Sequence, residues 1–212
     1  MERNTALNRA YTIMGKNFIG PFELNNINKK MGLKNFEKIE ETIPSLDISE
    51  EKLIQNKDTH LLILGNPFDL NGELLNLITL RNHFGINSKK SLPCFYNQDW
   101  YLKEAFMNES NINLKWYLIS KNIINHTRGK EPKMLLNTQK TFPSALLCAY
   151  VFFVQYLYNK EILWKNDYVW CNDLDSNGDR IYVGRYIDIL GLTKDGFSIH
   201  RHLRIRDNYG SI

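Results

Sequence analysis

The sequence predicts an α+β fold, with helices packed on an antiparallel sheet and a C-terminal three-strand meander completing that sheet. Three observations carry this prediction. The run TFPSALLCAYVFFVQYLY, residues 141–158, is apolar on every side, as a helix enclosed by neighbours must be. Strand-like runs flank it, THLLILG at 59–65 before it and DYVWCNDL, RIYVGRY and FSIHRHLRIR after it. Short turn sequences, SNGD and GLTKDG, separate the last three runs, which makes them consecutive strands of one sheet.

The elements follow in order. GPFELNNINKKMG, residues 20–32, predicts a short helix with Pro21 at its first position, Glu23 in its first turn and Gly32 ending it. Leu24, Ile27 and Met31 share one face of it. Its continuation has the outline of a helix-turn-helix, but Asn28 and Lys38 stand where close packing needs apolar groups, so a small packed helix is expected instead. Residues 34–58 read as a charged connector broken by Pro44, with a second short helix after Asp47 or Ser49. The chain divides accordingly into a helical N-terminal segment and connector, 1–58, and an α+β core domain, 59–212. In the core domain THLLILG predicts a buried strand. ELLNLITLRNHFG follows as a helix with Leu74, Leu77, Ile78, Leu80 and Phe84 on one face, stopped by Gly85. DWYLKEAFMN predicts another helix, NLKWYLISKNI (113–123) a strand, and HTRGKEPK (126–133) a polar, basic, mobile loop. In the apolar helix Thr141 is the expected cap and Pro143 lies in the first turn, where no amide partner is lost.

Composition narrows the classes. Hydrophobic residues at 43% and charged residues at 24% exclude a globally disordered chain. The net charge of +4 suits an anionic partner without demanding one, and the abundance of Asn, Lys and Ile is the bias of AT-rich codons. Three separated cysteines, Cys94, Cys148 and Cys171, without a CxxC pair, indicate neither a disulfide framework nor a cysteine zinc site. The N-terminus has no apolar signal run, and residues 141–158 fall short of the roughly 20 apolar residues of a membrane span. A cytoplasmic protein without a membrane partner is expected.

The stretch DLDSNGD, 173–179, begins like a calcium loop, with Asp173, Asp175, Asn177, Gly178 and Asp179 in place. The bidentate glutamate that closes such a loop would fall on Gly184, inside a strand pattern, so a hairpin tip is the preferred reading. With Asn177 and Gly178 as a two-residue turn, Asp175 faces Arg180, Asp173 faces Tyr182 and Trp170 faces Arg185. Alternation along the strands then places Tyr168, Trp170 and Leu174 with Ile181, Val183 and Ile187 on the core side. Phe197, Ile199, Leu203 and Ile205 join them. The opposite face receives Asp173, Asp175, Arg180, Tyr182 and Tyr186, with Ser198, His200, His202, Arg204 and Arg206 from the third strand.

That second face sets the functional expectation. Arginines present paired donors to phosphate or carboxylate, tyrosines stack, and histidines bind metals or move protons near neutral pH. A soluble binding protein is therefore expected, recognising a phosphate-bearing small molecule or nucleic acid through Arg180, Tyr182, Tyr186, His200, His202, Arg204 and Arg206. The ordinary alternative is a solvated sheet face with no role beyond solubility. No cofactor motif is present. A metal-dependent phosphodiesterase or nuclease is the second reading, with a divalent ion on Asp173, Asp175, His200 and His202. A protein-interaction module is the third. Glu131-x-Lys133 has the flavour of a nuclease pair but lacks a visible partner acid, and FYNQDWY (95–101) suits core or interface better than a pocket. His60, His83 and His126 are isolated. The order THLLILGNPF, FYNQDWYLKEAF, KWYLISK, DYVWCNDLDSNGDRIYVGRY resembles a group of uncharacterised bacterial proteins over most of the chain from residue 59. The resemblance implies a bacterial or bacteriophage origin and carries no activity with it.

Overall fold

The computed structural model describes residues 5–37, 43–138, 141–186, 195–201 and 205–212. In chain order these hold α1 (Thr5–Met14), β1 (Phe18–Ile19), α2 (Pro21–Asn25), α3 (Asn28–Met31), α4 (Glu50–Asn56), β2 (His60–Leu64) and α5 (Leu77–Phe84). There follow β3 (Trp116–Ser120), α6 (Pro132–Leu136), α7 (Ala145–Asn159), β4 (Tyr168–Leu174), β5 (Arg180–Tyr186), β6 (Gly196–Arg201) and β7 (Tyr209–Gly210). Among the described residues the strands form two sheets, ordered β1-β2-β3 and β6-β5-β4-β7, and not the single sheet expected. Antiparallel pairing joins β2 to β3 and runs through the β4-β5-β6 meander, while β1-β2 and β4-β7 are parallel. The fold is α+β.

The core is built around α7. Every side chain from Ala145 to Gln155 is buried, because α7 touches all three strands of the meander on one side and α3 and α5 on another. Phe153 stacks on Phe84 of α5 at 3.9 Å and meets Phe95, Phe152 and Phe197. Tyr150 donates its hydroxyl hydrogen to the Leu64 carbonyl at 2.8 Å, tying α7 to the first sheet. No helix among the described residues is long and apolar enough to cross a membrane.

The cap of α7 is Ser144, not Thr141. Its hydroxyl accepts from Leu147 N at 3.1 Å, while the carbonyl of Pro143 accepts from Asn172 N in β4 at 3.0 Å and holds the preceding chain extended against the sheet. Ser49 caps α4 by accepting from Lys52 N, and Asn76 caps α5 by accepting from Thr79 N. Leu74 therefore precedes α5 and is exposed. The helix expected over 20–32 divides into α2 and α3, because Asn25 turns its carboxamide to the returning chain: its oxygen accepts from Phe36 N at 2.8 Å. Buried Asn28 likewise donates to the Lys34 carbonyl. Gly32 ends α3 with φ +71°, and Lys38 lies outside the described residues.

DWYLKEAFMN does not form the expected helix; only Ala105–Met107 makes a 3₁₀ turn. Long-range partners take its groups instead. Arg81 donates to the Gln98 carbonyl, the Asp99 carboxylate and the Tyr101 hydroxyl. Just upstream, Tyr96 N donates to the Phe197 carbonyl and Phe197 N to the Cys94 carbonyl, so Cys94–Tyr96 shields the edge of β6. Phe95 and Tyr101 are fully buried, as the core reading of this aromatic segment requires.

Candidate functional site: the groove between α6 and the β4-β5 hairpin

The meander is present, but Asn177-Gly178 is not a two-residue turn. Gly178 N donates to the Asp175 carbonyl and Asp175 N to the Asp179 carbonyl, which makes Ser176 and Asn177 the central residues. Gly178 follows at φ +83°, the left-handed position of a three-residue hairpin loop. The cause is the Asp175 side chain. Its Oδ1 accepts from Asn177 N at 2.9 Å and from Asp179 N at 2.8 Å, and this local capture favours an ordinary turn over one requiring positive φ at Asn177. Glu104 adds a clamp from outside, Oε2 accepting from Ser176 N at 2.7 Å.

The register shifts with the turn. Leu174 faces Arg180, and after an irregularity Trp170 faces Tyr182, Val169 faces Val183 and Tyr168 faces Gly184. Residues 171–173 of β4 thus oppose the single residue Ile181 of β5. Trp170 and Tyr168 move to the face of Tyr182, away from Ile181 and Val183. Leu174 is 48% exposed rather than core. Val169, Cys171, Ile181, Val183, Phe197 and Ile199 form the side packed into the main core.

The opposite face is not open over Tyr182. Trp170, Tyr182 and Tyr209 form a second apolar cluster with Leu135 of α6 and Phe142, with Leu136, Tyr168 and Ile205 packed against it. Tyr182 is 7% exposed, and burial, with Tyr209 beside it, pushes its phenol pKa up. It is a core residue, and no ligand stacks on it in this arrangement. Ile205 belongs to this second cluster and not, as expected, to the main core. His200 pairs across from Tyr182 in register, stacks on its ring at 5.5 Å, and meets Tyr168 edge-on. Burial lowers its pKa to about 4, so its imidazole is neutral at neutral pH. Its Nδ1 lies 3.5 Å from Gln98 Nε2. Tyr186 continues β5 opposite Gly196, and Arg206 is exposed. Ile187, His202, Leu203 and Arg204 lie outside the described residues.

The acids have structural work. Asp173 is buried, and its Oδ2 accepts from Ala145 N at 2.6 Å at the start of α7. Burial raises its pKa above the usual carboxylate range. Asp175 faces burial too, but its bonds from Asp179 N and Asn177 N, with Arg201 at 3.3 Å, outweigh that and hold its pKa below the ordinary value. Among the described residues no group of three His, Cys, Asp or Glu side chains is placed to hold a metal ion. The structure thus does not gather Asp173, Asp175 and His200 into one site.

The lowered pKa of Asp175 has a definite consequence for stability. A carboxylate whose folded pKa lies below its unfolded one stabilises the fold above the unfolded value, and the contribution is lost as pH falls through the folded one. Asp175→Ala is expected to destabilise by about 1–2 kcal/mol at pH 7 through loss of charge-assisted bonds. In urea titrations at successive pH values, the gap between wild type and variant should close on acidification below the ordinary carboxylate range. A gap independent of pH would refute the assignment.

What the structure does gather is a groove of about 470 Å³ beside this hairpin. Glu131 and Lys133 form one wall at the start of α6, Asp179 and Arg180 the other, and Leu174 with Ile205 lines the apolar part, over the buried Trp170. The first wall is fixed by Arg128, whose guanidinium makes two bonds to the Asp167 carboxylate at 2.7 and 2.8 Å. Gly129 N also donates to the Tyr209 carbonyl, and Pro132 opens α6. The expected polar loop at 126–133 is therefore anchored. Arg180 donates from Nη1 to the Cys171 carbonyl at 2.8 Å and lies over the Phe142 ring at 5.3 Å. Its other N–H groups have no partner among the described residues, and burial lowers its pKa somewhat. Glu131 and Lys133 were visible in sequence as a pair. Arg180 was a candidate from the sequence as well, but that it and Asp179 face this pair, some fifty residues onward, was not visible there.

Comparison with known proteins returns no matching family model, no matching curated protein and no matching solved structure.

Proposed function

We propose that the protein binds a small anionic ligand in the groove between α6 and the β4-β5 hairpin. The observation that carries this reading is the placement of Arg180 and Lys133 on opposite walls of one groove with an apolar floor of Leu174 and Ile205. Arg180 is held in place by Cys171 and Phe142 while most of its donors stay uncommitted among the described residues, the condition for planar recognition of phosphate or carboxylate. A volume of about 470 Å³ suits a small molecule. A cytoplasmic setting belongs to the same proposal, supported by three buried cysteines that are all free thiols.

Calorimetric titration with inorganic phosphate, a nucleoside monophosphate and free amino acids tests it. At least one probe should bind with affinity that falls with salt and survives EDTA, and Arg180→Ala with Lys133→Ala should weaken it tenfold or more. Binding indifferent to both substitutions would refute the proposal. Phosphodiester turnover that EDTA abolishes would favour the metal-dependent hydrolase instead, and stable association with another protein insensitive to salt and EDTA would favour an interaction module.

A further inference from the structure

We infer that the ligand of this groove is a zwitterion of the amino-acid class: its acid group meets Arg180 and Lys133, its ammonium meets Asp179 and Glu131, and its apolar part lies on Leu174 and Ile205. The inference rests on the anion-binding reading and narrows it. Two cationic and two anionic side chains border one volume, yet among the described residues none of the four forms a close ion pair with another or with any other side chain, and only Arg180 feels a further carboxylate, that of buried Asp173 behind it. The chain is not short of ion pairs elsewhere. Arg9 meets Glu50, Arg81 meets Asp99, and Arg128 meets Asp167.

Charge balance decides between ligand classes. A nucleic-acid strand would carry successive phosphates past Asp179 and Glu131, and like charges facing each other across a partly apolar groove repel more strongly than in open water. A simple anion would satisfy the cationic pair and leave both carboxylates opposed to its charge. A molecule with both signs and a short apolar body satisfies all four groups and covers the exposed part of Leu174, 48% of that residue. The two acids thereby act as selectivity groups against polyanions.

The full-length chain is titrated with L-phenylalanine, N-acetyl-L-phenylalanine, phenethylamine and a short oligothymidylate, using wild type, Arg180→Ala and the isosteric double variant Glu131→Gln/Asp179→Asn. Phenylalanine should bind best, and loss of either its ammonium or its carboxylate should weaken binding at least tenfold. Arg180→Ala should weaken phenylalanine and N-acetylphenylalanine alike. The double variant should weaken phenylalanine and leave N-acetylphenylalanine unchanged or tighter. If N-acetylphenylalanine or the oligonucleotide binds wild type at least as well as phenylalanine, in an Arg180-dependent manner, the zwitterion inference fails while anion binding stands. If no probe shows Arg180-dependent binding, both fail. Thermal unfolding of each variant shows whether its fold is retained, and the acid variants replace exposed side chains at constant size.

Discussion

Phe153→Ala is expected to lower the unfolding free energy by about 3–5 kcal/mol, seen in urea as an earlier midpoint at unchanged slope. Phe153 is fully buried at the middle of α7. Its ring stacks on Phe84 and touches Phe95, Phe152 and Phe197, so it joins α5, the segment edging β6, and β6 itself. Truncation removes the ring's transfer energy and leaves a cavity whose walls belong to different elements, none of which collapses without dragging its own neighbours. A loss under about 1 kcal/mol, the range of ordinary surface substitutions or slightly above, would mean that these rings do not meet.

Tyr182→Ala should cost about 3 kcal/mol, near the lower end for truncating a buried ring. The same change on a solvated sheet face would cost roughly half a kcal/mol or less, so the measurement separates the two descriptions of that surface cleanly. Tyr182 lies between Tyr168, Trp170, Tyr209 and His200. Its removal opens the second cluster and frees α6, one wall of the groove. A near-neutral result would return Tyr182 to the solvent-facing role that strand alternation gives it.

These two residues mark where the sequence is informative and where it is not. Phe153 belongs to a run whose hydrophobicity has no polar face, and only enclosure on all sides explains such a run; the helix and its central place were readable from it. The stop at Gly32 was readable from local signals, and the start of α4 was narrowed to Asp47 or Ser49, of which Ser49 caps it. Tyr182 depends on register, and register depended on a single carboxylate. Once Asp175 binds the amides of Asn177 and Asp179, the turn slides one position, and the irregularity at 171–173 shifts the pairing further. Period-two bookkeeping cannot survive two such offsets. Burial of the second face was hidden for a further reason, since its cover comes from Leu135, Phe142 and Tyr209, none adjacent in sequence to the hairpin. The groove was half legible. Arg180 stood out as a candidate, but Lys133 and the two acids beside it gain meaning only when α6 is laid against β5.

Hairpin tips are ordinarily the loosest part of a sheet, yet the one here is pinned by Glu104, 72 residues away in the chain, which accepts from both the amide and the hydroxyl of Ser176. Asp179 and Arg180 begin only three residues past that pin. If the groove binds a ligand as proposed, a wall stiffened in advance spares the incoming molecule the entropy of ordering it. Under the proposed binding role, slack at Glu104 is expected to speed escape from the groove.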